Sequence, residues 1–293
     1  MDTELIQFKG VSKKFGKNVV LDNIDLTIPE GKITGIIGAS GEGKSTILKM
    51  IVSFYKPNRG NIFYLRRNIK KGRFALSKIF GLSVEDGSFY EKLSVKENLF
   101  HFGRLFHVKR KILRKRVEEI IGLMDLTKAE NTLAGDLSIG MKKRLDIGCS
   151  LIHNPAVLIL DEPTADLDPL LREQITNLIK KINSHGTTVI LTTQLLSEAE
   201  DLCDRIAILY NEKIVEEGSP KKIKQKYKSS SLDDVFKKIF SKKGRKTYQE
   251  SSEKKSKVEK SKKKSSMKKS LVVDSSKLYG ILDKLDKEGK DGD

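Results

Sequence analysis

The chain has 293 residues, with 57 Lys and Arg against 39 Asp and Glu, for a formal net charge of +18. That length carries one large domain or two smaller ones, and buries a core without disulfides or metals to staple it. No run approaches the ~20 apolar residues of a membrane-spanning helix, so membrane spans are not expected.

In chain order, Met1 to Glu4 has neither a basic nor an apolar leader region, and no secretory signal is expected. The alternation from Val19 to Leu26 predicts a strand, and Pro29-Glu30-Gly31 predicts a turn. Lys32 to Ile37 is a short apolar strand that runs into Gly38, and Thr46 to Ile51 continues as a helix with a buried face. Ser94-Val95-Lys96-Glu97 has the spacing of a capping box, which starts a helix there. A second amphipathic helix is predicted from Lys109 to Met124, so residues of about 86–146 read as a helical insert.

Ala156 to Leu160 and Thr187 to Leu191 read as buried strands. Between them Asp168-Pro169 predicts a helix start, with an N-cap carboxylate before a first-turn proline. Arg205 to Tyr210 and Ile214 to Glu217 read as a closing hairpin. The alternation of strands and helices predicts an α/β fold with a largely parallel sheet, over about residues 3–220. Cys149 and Cys203 fit no metal spacing and no disulfide framework, so buried free thiols are expected.

A C-terminal extension of about 221–240 precedes a change in composition. Residues 242–269 hold 13 basic and 3 acidic side chains, over half of the chain's excess charge. Residues 241–293 are expected to be disordered apart from a short helix near Ser275 to Leu285. Such a tail serves as a solvated solubility aid, as a contact for anionic lipid headgroups, or as a nonspecific nucleic-acid contact. With Tyr248 as its lone aromatic before the final helix, base stacking has little support, and nucleic acid is not the expected partner.

Gly38-Ala39-Ser40-Gly41-Glu42-Gly43-Lys44-Ser45 fits the phosphate-loop pattern G-x-x-x-x-G-K-[ST], between a predicted strand and a predicted helix. The glycines let backbone N–H groups turn towards phosphate oxygens, and the helix aims its positive end at the same place. Lys44 reaches the β- and γ-phosphates, Ser45 is a magnesium ligand, and Thr46 completes the binding segment. Asp161 ends the strand Val157 to Leu160 where it can hold the magnesium shell, and Glu162 can orient or deprotonate an attacking water. A nucleotide and Mg2+ are therefore expected here, and ATP is the nucleotide that the family resemblance below implies.

Two further segments resemble one family. Leu137-Ser138-Ile139-Gly140-Met141 resembles the signature motif of the ATP-binding-cassette ATPases, in the form used by exporter-type members. Glu162 to Asp168 resembles that family's catalytic glutamate running into its D-loop. The resemblance spans about residues 3–236. It implies a P-loop NTPase with a RecA-like core, an N-terminal antiparallel β subdomain and a helical signature subdomain. By the same resemblance, Phe15 stacks on adenine, the alternative being a place in the hairpin core. Ser138 and Gly140 touch the γ-phosphate held by a second copy, and Asp168 links the two sites. A complete site then needs a head-to-tail dimer, homomeric or heteromeric.

Three positions depart from the family pattern. Glu85 stands where the Q-loop glutamine is usual, and it can still coordinate magnesium. Gln194 replaces the switch histidine, and its amide donates one hydrogen bond but carries no positive charge. Glu42 occupies a phosphate-loop position where a small residue is usual. Turnover is therefore expected to be slow.

The leading expectation is the ATP-hydrolysing subunit of an exporter, peripheral on the cytoplasmic face of a membrane, with a separate permease. Ser231 to Phe236 also resembles a C-terminal segment of exporter-type subunits. A soluble nucleic-acid or ribosome-associated protein on the same scaffold is the alternative, and a regulator that only binds ATP is a third reading. A GTPase is disfavoured, because the sequence has no Asn-Lys-x-Asp segment.

Overall fold

The computed structural model describes residues 3–65, 67–68, 79–85 and 87–239. The basic stretch 242–269 and the helix expected near Ser275 to Leu285 lie outside these residues. Residues through Pro220 form one compact unit, and those from Lys221 belong to a second.

The first unit opens with a long antiparallel hairpin, β1 (Glu4–Phe15) and β2 (Asn18–Pro29). Strand β3 (Ile33–Ile37) leads into α1 (Lys44–Ile51). Then come β4 (Arg59–Tyr64), β5 (Arg67–Asn68) and β6 (Phe80–Ser83). The helical part contains α2 (Val95–Leu105), α3 (Arg110–Leu123) and α4 (Ile139–Leu151). The core resumes with β7 (Val157–Asp161), α5 (Pro169–Ser184), β8 (Thr188–Thr193) and α6 (Leu196–Leu202). The hairpin of β9 (Arg205–Tyr210) and β10 (Lys213–Gly218) closes the unit, and α7 begins at Pro220 and ends at Tyr227.

Two sheets result. The smaller has the order β2-β1-β4-β5 and is antiparallel throughout. The larger has the order β10-β9-β3-β8-β7-β6, parallel except for its last hairpin. Strands β3, β7 and β8 are buried at every residue, as parallel strands covered on both faces must be. One apolar cluster joins the inner face of the small sheet to α1 and the large sheet, through Phe8, Leu26, Ile47, Met50, Ile159 and Ile190. Helix α1 thus leaves the centre of the large sheet at the carboxyl end of β3, where open α/β sheets bind ligands.

The helical part differs from expectation at its end. The predicted bound near residue 146 falls inside α4, which continues to Leu151 because Leu145, Ile147 and Leu151 are all buried. The capping box is present: Ser94 Oγ accepts from Glu97 N at 3.2 Å, and Glu97 Oε2 accepts from Ser94 N at 2.8 Å. Cys149 and Cys203 are buried and unpaired, with burial pushing both thiols up.

In the second unit, residues 232–239 are helical. Lys238 Nζ donates to the carbonyls of Tyr227 and Lys228 at 2.8 and 2.9 Å, and to Ser229 Oγ at 2.8 Å. One ammonium thus satisfies the carbonyls that end α7, as a cation at a helix C-terminus does.

Candidate active site

The loop between β3 and α1 wraps the N-terminus of α1 with no side-chain cap. Gly43, the residue before that helix, has φ +103°, and a Cβ there would lie 2.8 Å from Val20 Cγ1. A residue without a side chain is therefore required, both by the dihedral and by the β2 wall. The open amides at this helix end make an anion site of the kind phosphate occupies.

Lys44 is buried, and its ammonium donates to the carbonyls of Gly38 and Ala39 at 2.9 and 3.1 Å. It also lies 3.1 Å from Glu162 Oε1. That oxygen receives no hydrogen bond among the described residues, so the ammonium is its compensating charge. Ser45 Oγ donates to Asp161 Oδ1 at 3.1 Å, and Thr192 Oγ1 donates to the same oxygen at 2.6 Å. Thr192 in turn accepts from Glu162 N at 2.9 Å. Glu162 has φ +48°, a left-handed conformation that a non-glycine residue holds only where its surroundings over-determine it. Its Oε2 accepts from Gln194 N at 3.2 Å.

One cavity of about 300 Å³ lies over these groups. It is lined by Val20, Ser40, Gly41, Gly43, Lys44, Ser45, Thr46, Glu85, Glu162 and Gln194. The structure thus brings most of the predicted loop together with Glu85 beyond β6, Glu162 beyond β7 and Gln194 beyond β8. Gly38 and Ala39 meet Lys44 through their carbonyls, and Asp161 meets Ser45. Glu42 is half-buried and outside the lining.

Phe15 lies at the end of the first hairpin, 41% exposed. Tyr55 meets its ring edge-on at 5.0 Å between centroids, and Lys13 Nζ sits 4.8 Å from its centroid. The alternative of a hairpin-core Phe15 does not fit that exposure.

The signature residues are elsewhere. Ser138 is the N-cap of α4, accepting from Met141 N at 3.3 Å. Ile139 is 66% exposed, Leu137 is buried, and a Cβ at Gly140 would come within 2.9 Å of Leu171 on α5. Asp168 is the N-cap of α5, accepting from Leu170 N at 2.9 Å and Leu171 N at 3.0 Å. None of Leu137 to Met141, nor Asp168, lines the cavity.

Sequence reasoning missed several polar residues around the site. Thr192 holds the Asp161 carboxylate, and Glu198 accepts from Thr164 and Thr193. Asp146 accepts from the Ser83 hydroxyl and from Ser88 N at 2.6 Å, tying α4 to the segment that carries Glu85. Burial pushes the Asp146 carboxyl up, against its hydrogen bonds to Ser83 and Ser88. The Thr192-Thr193 pair, hydroxyls inside an otherwise apolar strand, was the visible signal.

The loop, its helix and the two acids together are the geometry of a nucleotide site, and comparison with known proteins decides the family. Residues 21–165 match the family model described as "ABC transporter". The daunorubicin resistance ATP-binding protein DrrA3 of Streptomyces coeruleorubidus is 33% identical over 231 residues, 79% of this chain and 73% of that protein. The chain belongs to the ABC transporter family. The Nod factor export ATP-binding protein I of Rhizobium sp. (strain N33) is 31% identical over 80% of this chain and 78% of its own length. A solved ATP-binding subunit of an ABC transporter superposes with a TM-score of 0.72 at 25% identity, covering 80% of this chain and 99% of that one.

The chain is thus an ATP-binding subunit of the ABC transporter type, from an ATP-hydrolysing family. Among the described residues no helix is long and apolar enough to cross a membrane. The donor set also suits magnesium. Ser45 and Asp161 already share a hydrogen bond, and Glu85 brings a further carboxylate to the cavity. Among the described residues no group of three His, Cys, Asp or Glu could hold a metal. Magnesium takes one or two carboxylates and completes its shell with water and phosphate oxygens.

Proposed function

We propose that this chain is the ATP-hydrolysing subunit of an exporter, acting as a head-to-tail pair of subunits beneath a separate permease on the cytoplasmic face of a membrane. One observation carries the reading: a single cavity gathers the phosphate loop, Glu85, Glu162 and Gln194, while Ser138 to Met141 line none of it. A signature segment that does not serve its own loop is free to serve the loop of another copy, and two copies that exchange this contact reciprocally close into a two-fold pair. Export is supported by the names of the similar proteins, one of drug resistance and one of Nod factor export. The basic stretch 242–269 adds attraction to anionic lipid headgroups in this reading.

In this reading the loop amides and Lys44 bind the β- and γ-phosphates of ATP, and the exposed Phe15 ring stacks on adenine. Ser45 and Asp161, with Glu85, would hold magnesium, which supplies neutralising charge to the phosphates. A water oxygen attacks the γ-phosphorus, the bond to the β–γ bridging oxygen breaks, and Glu162 accepts the proton that the water gives up. ADP and phosphate are the products. Gln194 donates a neutral hydrogen bond where a cationic side chain would help more, so hydrolysis is slow. Ser138 and Gly140 of the second copy close over the γ-phosphate, and Asp168 connects the two sites.

The test is the steady-state ATPase rate of the purified chain, alone and with any membrane protein that co-purifies with it. Restoring the charge with Gln194→His is expected to raise kcat by about 10-fold or more. An equal or lower rate would remove the slow-hydrolysis reading, and a chain that neither binds nor hydrolyses ATP would remove the whole of it.

A further inference from the structure

Four acidic side chains are buried among the described residues: Asp146, Asp161, Glu162 and Glu198. Asp161 and Glu162 belong to the nucleotide site, and Asp146 joins α4 to the segment before Glu85. Glu198, on α6, belongs to no motif and does not line the cavity.

Its contacts are specific. Glu198 Oε2 accepts from Thr164 Oγ1 at 2.7 Å and from Thr193 Oγ1 at 2.8 Å. Thr164 follows Glu162 by two residues, and Thr193 directly precedes Gln194. Thr193 Oγ1 also accepts from Leu195 N at 3.0 Å, which fixes the backbone on the far side of Gln194. Glu198 Oε1 is buried, with no hydrogen-bond partner among the described residues. The polar capacity in use is thus a single oxygen that draws two loops together.

A carboxyl is an expensive group to bury for structure alone, because an ionised acid loses its hydration there. Burial pushes Glu198 up, as does nearby Glu162, while the two threonine hydroxyls and Arg172 pull it down. Arg172 itself donates to Leu167 O at 3.1 Å, so the same corner also holds the segment after Thr164. Glu162 needs such support, since its left-handed backbone must be fixed from outside.

We propose that Glu198 is a positioning residue for ATP hydrolysis, which sets the separation between the Glu162 carboxylate and Gln194 by clamping Thr164 and Thr193 onto one oxygen. The proposal rests on the ATPase reading above. Displacing a catalytic group by about 1 Å costs on the order of 10²-fold in rate, so a clamp of this kind acts on turnover more than on binding.

The experiment compares Glu198→Ala, Glu198→Gln, Thr164→Val and Thr193→Val in the full chain. Glu198→Ala is expected to lower kcat by about 10- to 100-fold with KM for ATP within about twofold. Glu198→Gln keeps an oxygen that accepts both hydroxyls, and is expected to stay within about threefold of the parent. Each valine is expected to lose part of the rate, with no further loss in the alanine background. Hydrogen exchange at 162–167 and 193–195 is expected to rise in Glu198→Ala and return to the parent level in Glu198→Gln.

A Glu198→Ala rate equal to the parent's, a glutamine variant as slow as the alanine one, or valine losses that add in full would each overturn the clamp. A parent chain with no ATPase activity would sink the ATPase reading. The exchange data would then decide the clamp separately, and unchanged exchange at the two loops would overturn it.

Discussion

Asp161 and Ser138 both stand where one element meets the next, yet their surroundings differ in kind. Asp161 closes a strand buried at every residue, and one of its oxygens receives the hydroxyls of Ser45 and Thr192. Ser138 opens α4 at the surface and accepts a single local N–H bond. Glu162, Lys44 and Gln194 converge on the first centre, whereas Ile139 and Leu170 stand 66% and 65% exposed near the second. The phosphate-loop half is held by bonds between distant segments and is preorganised. The signature half buries Leu137 and Gly140 but leaves Ser138 and Ile139 at the surface.

The largest expected effect separates the two halves. Lys44→Ala removes the cation shared by the loop carbonyls and Glu162. Loss of a buried charge-assisted contact is expected to weaken ATP binding by about 100-fold, read by equilibrium binding of a fluorescent ATP analogue. It also leaves Glu162 buried without compensation, so the chain is expected to lose about 3 kcal/mol of stability in urea titration. A variant that binds nucleotide like its parent would show that the cavity over Lys44 is not the ATP site.

Ser138→Ala tests the other half. Losing the N-cap costs about 1 kcal/mol of stability. ATP binding by a single copy is expected to stay within about twofold, and hydrolysis to fall by about 10-fold or more as the γ-phosphate contact is lost. Mixing sharpens the comparison. A head-to-tail pair of one Lys44→Ala copy and one Ser138→Ala copy has one intact composite site, so an equal mixture is expected to recover roughly a quarter of the parent rate. A mixture no faster than its separate components would break the idea of a site shared between copies.

How much of this was legible before the structure follows the same division. The phosphate loop is a local pattern with fixed spacing, and its place after a buried strand follows from Ile33 to Ile37 being wholly apolar save for Thr34 and Gly35. The strand that delivers Asp161 is equally local. The bonds that set the geometry are not, because Thr192 reaches Asp161 across 31 residues, and Ser83 reaches Asp146 across 63. Asp146 lies inside α4, which runs five residues past the approximate bound of 146. Its partners Ser83 and Ser88 come from another segment, so no local pattern shows why a carboxyl is buried there. Phe15 was ambiguous for the opposite reason. An aromatic at a hairpin end suits a core or a ligand equally, and its 41% exposure depends on how Tyr55 packs against it.

Acid acts on the helical half. His153 follows α4, stacks on Phe106 with centroids 3.9 Å apart, and lies with Nε2 3.1 Å from Phe80 O, at the start of β6. That contact requires the proton on Nε2, which leaves Nδ1 buried and unprotonated, with no hydrogen-bond partner among the described residues. Burial lowers the imidazole from 6.5 to about 4, opposed by the Phe80 carbonyl and assisted by the Arg116 charge. The folded chain therefore binds fewer protons than the unfolded chain between these values. Its stability rises with pH across that window, is complete above about 6.5, and is lost as pH falls towards about 4, by at most about 3 kcal/mol. Urea midpoints at pH 7 and pH 5 measure the loss directly. His153→Gln keeps a donor for Phe80 O but cannot titrate, so its two midpoints are expected to lie closer together than the parent's. An identical gap in both chains would place the acid sensitivity elsewhere. It would also remove the argument that the joint between α4 and β6, unlike the loop around Lys44, depends on a proton staying away.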